Sequence, residues 1–330
     1  MNRAAIRMVS SYLPEPIVTN EEIEDKVRIG QKTMASGTLR KLFGSESRRA
    51  APRYIQVSDL ASEAARNILT QVDKISIDLL IFAAASSDLI EPATGNIIQS
   101  KLGLTCPVMD IKNACNSFVT AMQTASSFIE AGFYKNVLIV NGEKLSEVIN
   151  FEPNDNEHFK RCLSGYTLGD AGAAMLLGLQ KDHQIVYQKF CTWGKYWNLC
   201  TVEGGGSMAF RDFKKYYFES DTNTLNAVVK EVAPQFITDC LAEAGILISN
   251  VATVVTHQIS SPTTAKIAEI LTIPLTKFIQ TFREYGNIGA ATIPVALHQA
   301  IQANQLKKGD IVLILGFAAG ISISVQIIIW

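Results

Sequence analysis

At 330 residues the chain has room for two average domains or one large one. Hydrophobic residues make up 48% and charged residues 18%, the balance of a compact soluble protein, and a net charge of −1 leaves no electrostatic case for nucleic acid or an anionic membrane. The six cysteines are scattered, with no CxxC pair and no His/Cys cluster at zinc spacing, which predicts reduced thiols in a cytoplasm; no window reaches the roughly 18 apolar residues of a membrane span, and the apolar run at the N-terminus is too short for a signal peptide.

In chain order, residues 4–10 predict a strand and 12–18 a turn. Thr19-Asn20-Glu21-Glu22-Ile23 opens a helix, with Thr19 or Asn20 as cap and acids in the first turn. Residues 31–53, rich in Gly, Ser, Lys and Arg, predict a loop or a short helix; 58–69 predict an amphipathic helix. The continuous apolar run 78–85 is a strand of the kind buried on both faces. A helix follows over 93–104, then a short strand, Val108-Met109-Asp110-Ile111, a helix over 118–131, and a further strand over 136–141.

The second part of the chain repeats this order: helix 225–244, strand 251–256, helix 263–271, strand 276–282, helix 290–303 and strand 310–316. Val137-Leu138-Ile139 matches Val312-Leu313-Ile314 at an offset of 175, and Cys115 matches the turn Tyr285-Gly286-Asn287-Ile288-Gly289 at nearly the same offset. Alternating strands and helices predict a mostly parallel sheet covered by helices. A repeat of that pattern predicts two similar halves, divided here as 1–175 and 176–330.

Ligands of such sheets gather beyond the carboxyl ends of the strands. Cys115 stands at one such junction, where the free N–H groups and the macrodipole of a helix favour a thiolate; a lone buried cysteine is otherwise an inert small hydrophobe. Thr256-His257-Gln258 follows the 251–256 strand, Asn287 precedes the 290–303 helix, and Gly316-Phe317-Ala318-Ala319-Gly320 follows the last strand. Taken singly, His257 reads as a satisfied core histidine and Asn287 as an N-cap. Their joint placement with Cys115 points to one centre.

These stretches carry a resemblance. Asn113-Ala114-Cys115-Asn116-Ser117-Phe118, Thr256-His257-Gln258, Tyr285-Gly286-Asn287-Ile288-Gly289-Ala290 and the 316–320 glycine turn resemble the Cys, His, Asn and C-terminal glycine motifs of the ketosynthase III (β-ketoacyl-ACP synthase III-like) family. Similarity also covers residues 11–20, 134–140 and 168–173. The resemblance implies a thiolase-like α/β fold, with two pseudo-symmetric αβαβα halves built on mostly parallel or mixed five-stranded sheets. It implies a homodimer with no cofactor beyond substrates carried as acyl carrier protein or coenzyme A thioesters.

Joining two acyl thioesters needs a nucleophile that is also a leaving group, and Cys115 is both. The backbone N–H groups of Cys115 and the Ala318–Ala319 turn are candidates for an oxyanion hole. Neutral His257 and the Asn287 amide are the donors for an enolate oxygen. Glu91 stands where the family's loop reaches the partner subunit, a position usually apolar. A carboxylate there resembles the head-to-head condensing enzymes that make long-chain ketones or α-pyrones, where it acts as base; its alternative is a surface acid beside a helix N-terminus. The stretch 37–44 lacks the Trp of coenzyme A-using members, which favours an acyl carrier protein as donor. No second cysteine stands in 316–320, which disfavours thiolysis. Two other readings remain: an ordinary initiating β-ketoacyl-ACP synthase III, and a non-catalytic partner subunit. The aromatic, Gly-rich stretch 192–215 lines the pocket or forms a plain surface connection.

Overall fold

The computed structural model describes residues 3–330. In the first half, β1 (Ala4–Tyr12) leads to α1 (Asn20–Glu24), α2 (Thr38–Phe43) and α3 (Val57–Leu69); then come β2 (Leu79–Ala83), α4 (Thr94–Leu102), β3 (Val108–Ile111), α5 (Ser117–Glu130), β4 (Asn136–Lys144), α6 (Asn156–Cys162) and β5 (Asp170–Leu179). The second half holds β6 (Gln184–Tyr196), α7 (Thr222–Glu243), β7 (Val251–Thr256), α8 (Ser261–Ile270), α9 (Phe282–Tyr285), α10 (Thr292–Gln302), β8 (Ile311–Ala318) and β9 (Gly320–Ile329). Short two-stranded ribbons fill some connections.

Local chemistry sets several of these boundaries. Thr19 caps α1 in a reciprocal capping box with Glu22. Residues 137–140 of β4 are wholly buried, as a strand covered on both faces requires.

The nine strands form one sheet in the order β3-β2-β4-β5-β1-β6-β9-β8-β7. This order reads alike from both ends: β2-β4-β5-β1 in the first half mirrors β7-β8-β9-β6 in the second, and the pairs β2–β4 and β7–β8 both run parallel. The single pair Ala5↔Gln184 joins the halves. The repeat is thus real, and Val137 and Val312 lie in equivalent strands. Residue 175 falls inside β5, so the chain passes between halves after Leu179 rather than at 175/176.

Two details differ from the sequence reading. The sheet is mixed rather than mostly parallel, because β5, β6 and β9 run antiparallel to their neighbours. The expected strand at 276–282 is not formed: Leu275–Lys277 is a 3₁₀ turn, and only the bridge Val254↔Phe278 remains. The Gln258 side chain supplies the cause. Its Oε1 accepts the N–H groups of Thr281 (3.0 Å) and Phe282 (3.2 Å), and its Nε2 donates to the Ile279 carbonyl (2.9 Å), so groups that a ladder needs are already engaged. The second half therefore contributes four strands, not five.

Helices and strands stack in five layers. The α5 and α10 helices lie at the centre, where Phe118, Met122, Ile293 and Leu297 pack with strands of both halves. On the outside, α3 and α4 cover the first half, and α7 and α8 cover the second. The loops that precede α5 and α10 meet in the middle of the molecule, which is where the repeat places Cys115 and Asn287.

Candidate active site

Cys115 occupies the turn between β3 and α5. Asn116 rather than Cys115 is the N-cap residue of α5. The turn is tight: Ala114 takes a left-handed φ of 45°, Asn116 N–H donates to the Asn113 carbonyl (2.9 Å), and Asn113 N–H donates to Ser117 Oγ (2.8 Å). The buried Asn116 amide donates to Ser322 Oγ (2.9 Å) and so ties the turn to β9. Its Oδ1 lies against Gly316, where a Cβ would come within 2.1 Å; a glycine is required there for this approach.

One cavity of about 440 Å³ brings together Cys115, His257, Asn287, Ala318 and Ala319. Its walls continue between α7 and α8 over Leu225, Val229, Ile237, Ile267 and Leu271, an apolar lining suited to an acyl chain. Cys200 also faces this cavity, whereas the exposed residues Met208, Phe210 and Phe213 turn away to the surface. The 192–215 stretch thus divides between pocket wall and surface.

The His257 ring is buried, and neither of its nitrogens has a hydrogen-bond partner among the described residues. Burial pushes its pKa down to about 4, so the ring is neutral near neutral pH and offers one N–H donor. Asn287 is clamped on both sides, its N–H donating to the Thr167 carbonyl (2.8 Å) and its carbonyl accepting from Gly169 N–H (3.0 Å). Asn287 Oδ1 accepts from Gly289 N–H (3.0 Å), which leaves the amide NH2 as the free end. Two neutral donors therefore face the space beside Cys115.

The Cys115 thiol departs from expectation. Burial, with Cys200 and Glu143 nearby, pushes its pKa well above that of a free thiol; the opposing influence is its own backbone N–H. The helix terminus does not by itself produce a thiolate here. Glu91 is not in the cavity. It is exposed on the loop before α4, beside exposed Leu89 and Ile90. Sequence reasoning missed Glu143, buried at the end of β4, and Cys200; the first is hidden in the tail of an apolar run and the second lies 85 positions from Cys115.

The profile of 3-oxoacyl-[acyl-carrier-protein (ACP)] synthase III matches residues 109–194, and that of its C-terminal domain matches 241–330. The β-ketoacyl-[acyl-carrier-protein] synthase III of Neisseria meningitidis serogroup C is 30% identical over 324 residues, covering 97% of either chain. This chain belongs to the β-ketoacyl-ACP synthase III family. The synthase III of Fusobacterium nucleatum is 27% identical over 344 residues, covering 100% of this chain and 99% of that one. Among solved structures, OleA of Xanthomonas campestris matches with a TM-score of 0.90 and 26% identity, over 100% of this chain and 98% of the OleA chain. OleA has been solved with a cysteine, a histidine or a glutamate replaced, and with bound lauric acid and lauroyl-CoA. This synthase III relative is a thiolase-fold condensing enzyme: an acyltransferase that takes an acyl group onto cysteine and forms a carbon–carbon bond by Claisen condensation.

Proposed function

We propose that Cys115 carries the first acyl chain and that His257 and Asn287 stabilise the enolate of the second substrate. The observation that carries this reading is the pair of unsatisfied donors, the buried His257 ring and the free end of the Asn287 amide, beside one thiol in one apolar cavity. A buried polar group without a partner is costly; a substrate thioester oxygen between them removes that cost.

In the first step, Cys115 sulfur attacks the thioester carbon, its proton leaves with the departing thiol, and the oxyanion is held by the N–H groups of Cys115 and the Ala318–Ala319 turn. In the second step the enolate carbon attacks the Cys115 thioester, and the thiolate leaves.

Glu91 is the proposed base for the second substrate, acting in the cavity of a partner subunit within a homodimer. Its exposure, beside Leu89 and Ile90, supports a loop that finds its contacts outside its own chain. The likeness to OleA favours a head-to-head joining of two acyl chains over ordinary initiation. Exposed Lys230 and Lys266 on α7 and α8 stand among the cavity-lining residues, cations suited to an acidic acyl carrier protein at the entrance. All chemistry is supplied by the thioesters, without a cofactor. Six free thiols fit a reducing cytoplasm, and among the described residues no helix is long and apolar enough to cross a membrane.

The direct test is incubation with an acyl thioester followed by intact-mass and peptide analysis. An acyl adduct on Cys115, absent in Cys115→Ser, is the expected result. An adduct that persists in the Ser variant and maps to Cys106 or Cys162 overturns the assignment.

A further inference from the structure

Glu143, at the end of β4, is fully buried and takes no part in the chemistry above. Its Oε1 accepts the N–H groups of Ala85 (2.8 Å) and Ala290 (3.3 Å). Its Oε2 accepts Ser86 N–H (3.1 Å) and Ser86 Oγ–H (2.8 Å). Four donors from two loops occupy both oxygens. Such a carboxylate is a fixed clamp; burial pushes its pKa up, and the hydrogen bonds from Ala85, Ser86 and Ala290 work against that shift.

The two loops are those that act in the second step. Ala85 and Ser86 root the loop that ends at Glu91, and Ala290 follows the Asn287 turn. Gly289 lies between, at φ +56°, and a Cβ there would meet Leu145 Cδ1 at 2.9 Å and the Glu143 carboxyl carbon at 3.2 Å. Gly289 N–H in turn holds Asn287 Oδ1 (3.0 Å). Glu143 thus packs against the residue whose N–H fixes the Asn287 amide.

We propose that Glu143 is a positioning residue for condensation, tying the root of the Glu91 loop to the 287–290 turn so that enolate donors and base are held in one arrangement. The inference rests on the assignment of the second step to His257, Asn287 and Glu91. Glu143 also carries a second, separable signature. In its ionised form it opposes ionisation of Cys115, as does Cys200 on the strand Cys200–Thr201; of the other titratable groups lining the cavity, His257 is neutral and Lys230 and Lys266 stand exposed on α7 and α8.

Glu143→Gln removes the charge and turns one acceptor toward N–H groups as a donor. In this variant iodoacetamide should alkylate Cys115 about threefold or more faster at pH 7, because the thiolate fraction rises. Acyl loading should persist, while condensation falls about 10²-fold, the scale of misplaced reacting groups. Glu143→Asp keeps the charge and shortens the reach, so it should leave alkylation unchanged and still impair condensation. Wild-type condensation in either variant overturns the proposal. So does a Gln variant that loses loading and condensation in equal measure with Cys115 reactivity unaltered, since that is a merely structural loss. Alkylation needs no acyl donor, so a wild-type protein that fails to load acyl chains refutes the reading of the site without touching the charge effect. If Glu143→Gln does not fold, Glu143→Asp decides by its loading-to-condensation ratio.

Discussion

Burial keeps the Cys115 thiol protonated and the His257 ring neutral, so both enter the reaction uncharged. One cause, desolvation, disfavours the charged form of each, raising the pKa of the thiol and lowering that of the imidazole. The sequence pointed to both residues but not to this balance. A helix terminus is a local feature readable from spacing, whereas desolvation depends on walls from α7, α8 and the Cys200 strand, which lie far along the chain. Replacing His257 or Asn287 with Ala should spare acyl loading of Cys115 more than condensation, with condensation falling about 10²–10³-fold, the scale of losing one oxyanion donor. Equal loss of loading in both variants, measured by intact mass, would return these residues to the first step.

The neutral His257 also writes itself into stability. Its folded pKa, about 4, lies below the unfolded value of 6.5, so above pH 6.5 it is uncharged in both states and contributes no pH dependence. As pH falls from 6.5 toward 4, the unfolded chain binds a proton that the folded one refuses, and stability drops by up to about 1.4 kcal/mol per pH unit. Denaturant melts of His257→Gln across this window should show a shallower slope than the parent. An identical slope would mean that the ring takes up its proton while folded.

Among the elements, those with local signals were legible. The capping box at Thr19, the buried run of β4 and the helices flanking Cys115 all follow from spacing and periodicity. The strands β5, β6 and β9 went unread; in β5, residues such as Ala171, Ala173, Met175 and Leu177 lie in a run buried on both faces and show no alternation. The 276–282 segment was misread for the opposite reason: its apolar residues suit a strand, but a distant side chain, Gln258, claims its backbone. Gly286 belongs to the same connection. It adopts φ 64° and ψ −155°, a region nearly closed to other residues, and a Cβ there would lie 2.1 Å from the Thr167 carbonyl that clamps Asn287. Gly286→Ala should lower stability by about 1–3 kcal/mol in denaturant unfolding and impair condensation beyond loading. A variant with parent stability would show that the clamp can shift at no cost.

For the whole molecule, the duplication was legible through the constant offset between halves, since each half presents one loop to the centre and the two together make the site. A role for Glu91 in a partner's cavity came only from the family resemblance, since no contact among the described residues of its own chain marks it. Light scattering should report a homodimer at micromolar concentration. Glu91→Gln should then keep acyl loading and lose about 10²–10⁴-fold in condensation, the range of general base catalysis. A monomer would remove the reason to give Glu91 a catalytic role, and full activity of the Gln variant with a malonyl carrier as preferred extender would assign the protein to ordinary chain initiation.

The missing strand has a consequence of its own. At one end of the sheet, Ile279 N–H already donates to the Val254 carbonyl (3.0 Å), and Gln258 pins the residues around it, so β7 cannot template a further strand. At the other end, β3 is flanked on one side only. A sheet with two open ends is a link for an endless chain; a sheet with one is a terminator. Edge-to-edge pairing has β3 as its open end, while Gln258 and the 278–282 segment cover the other.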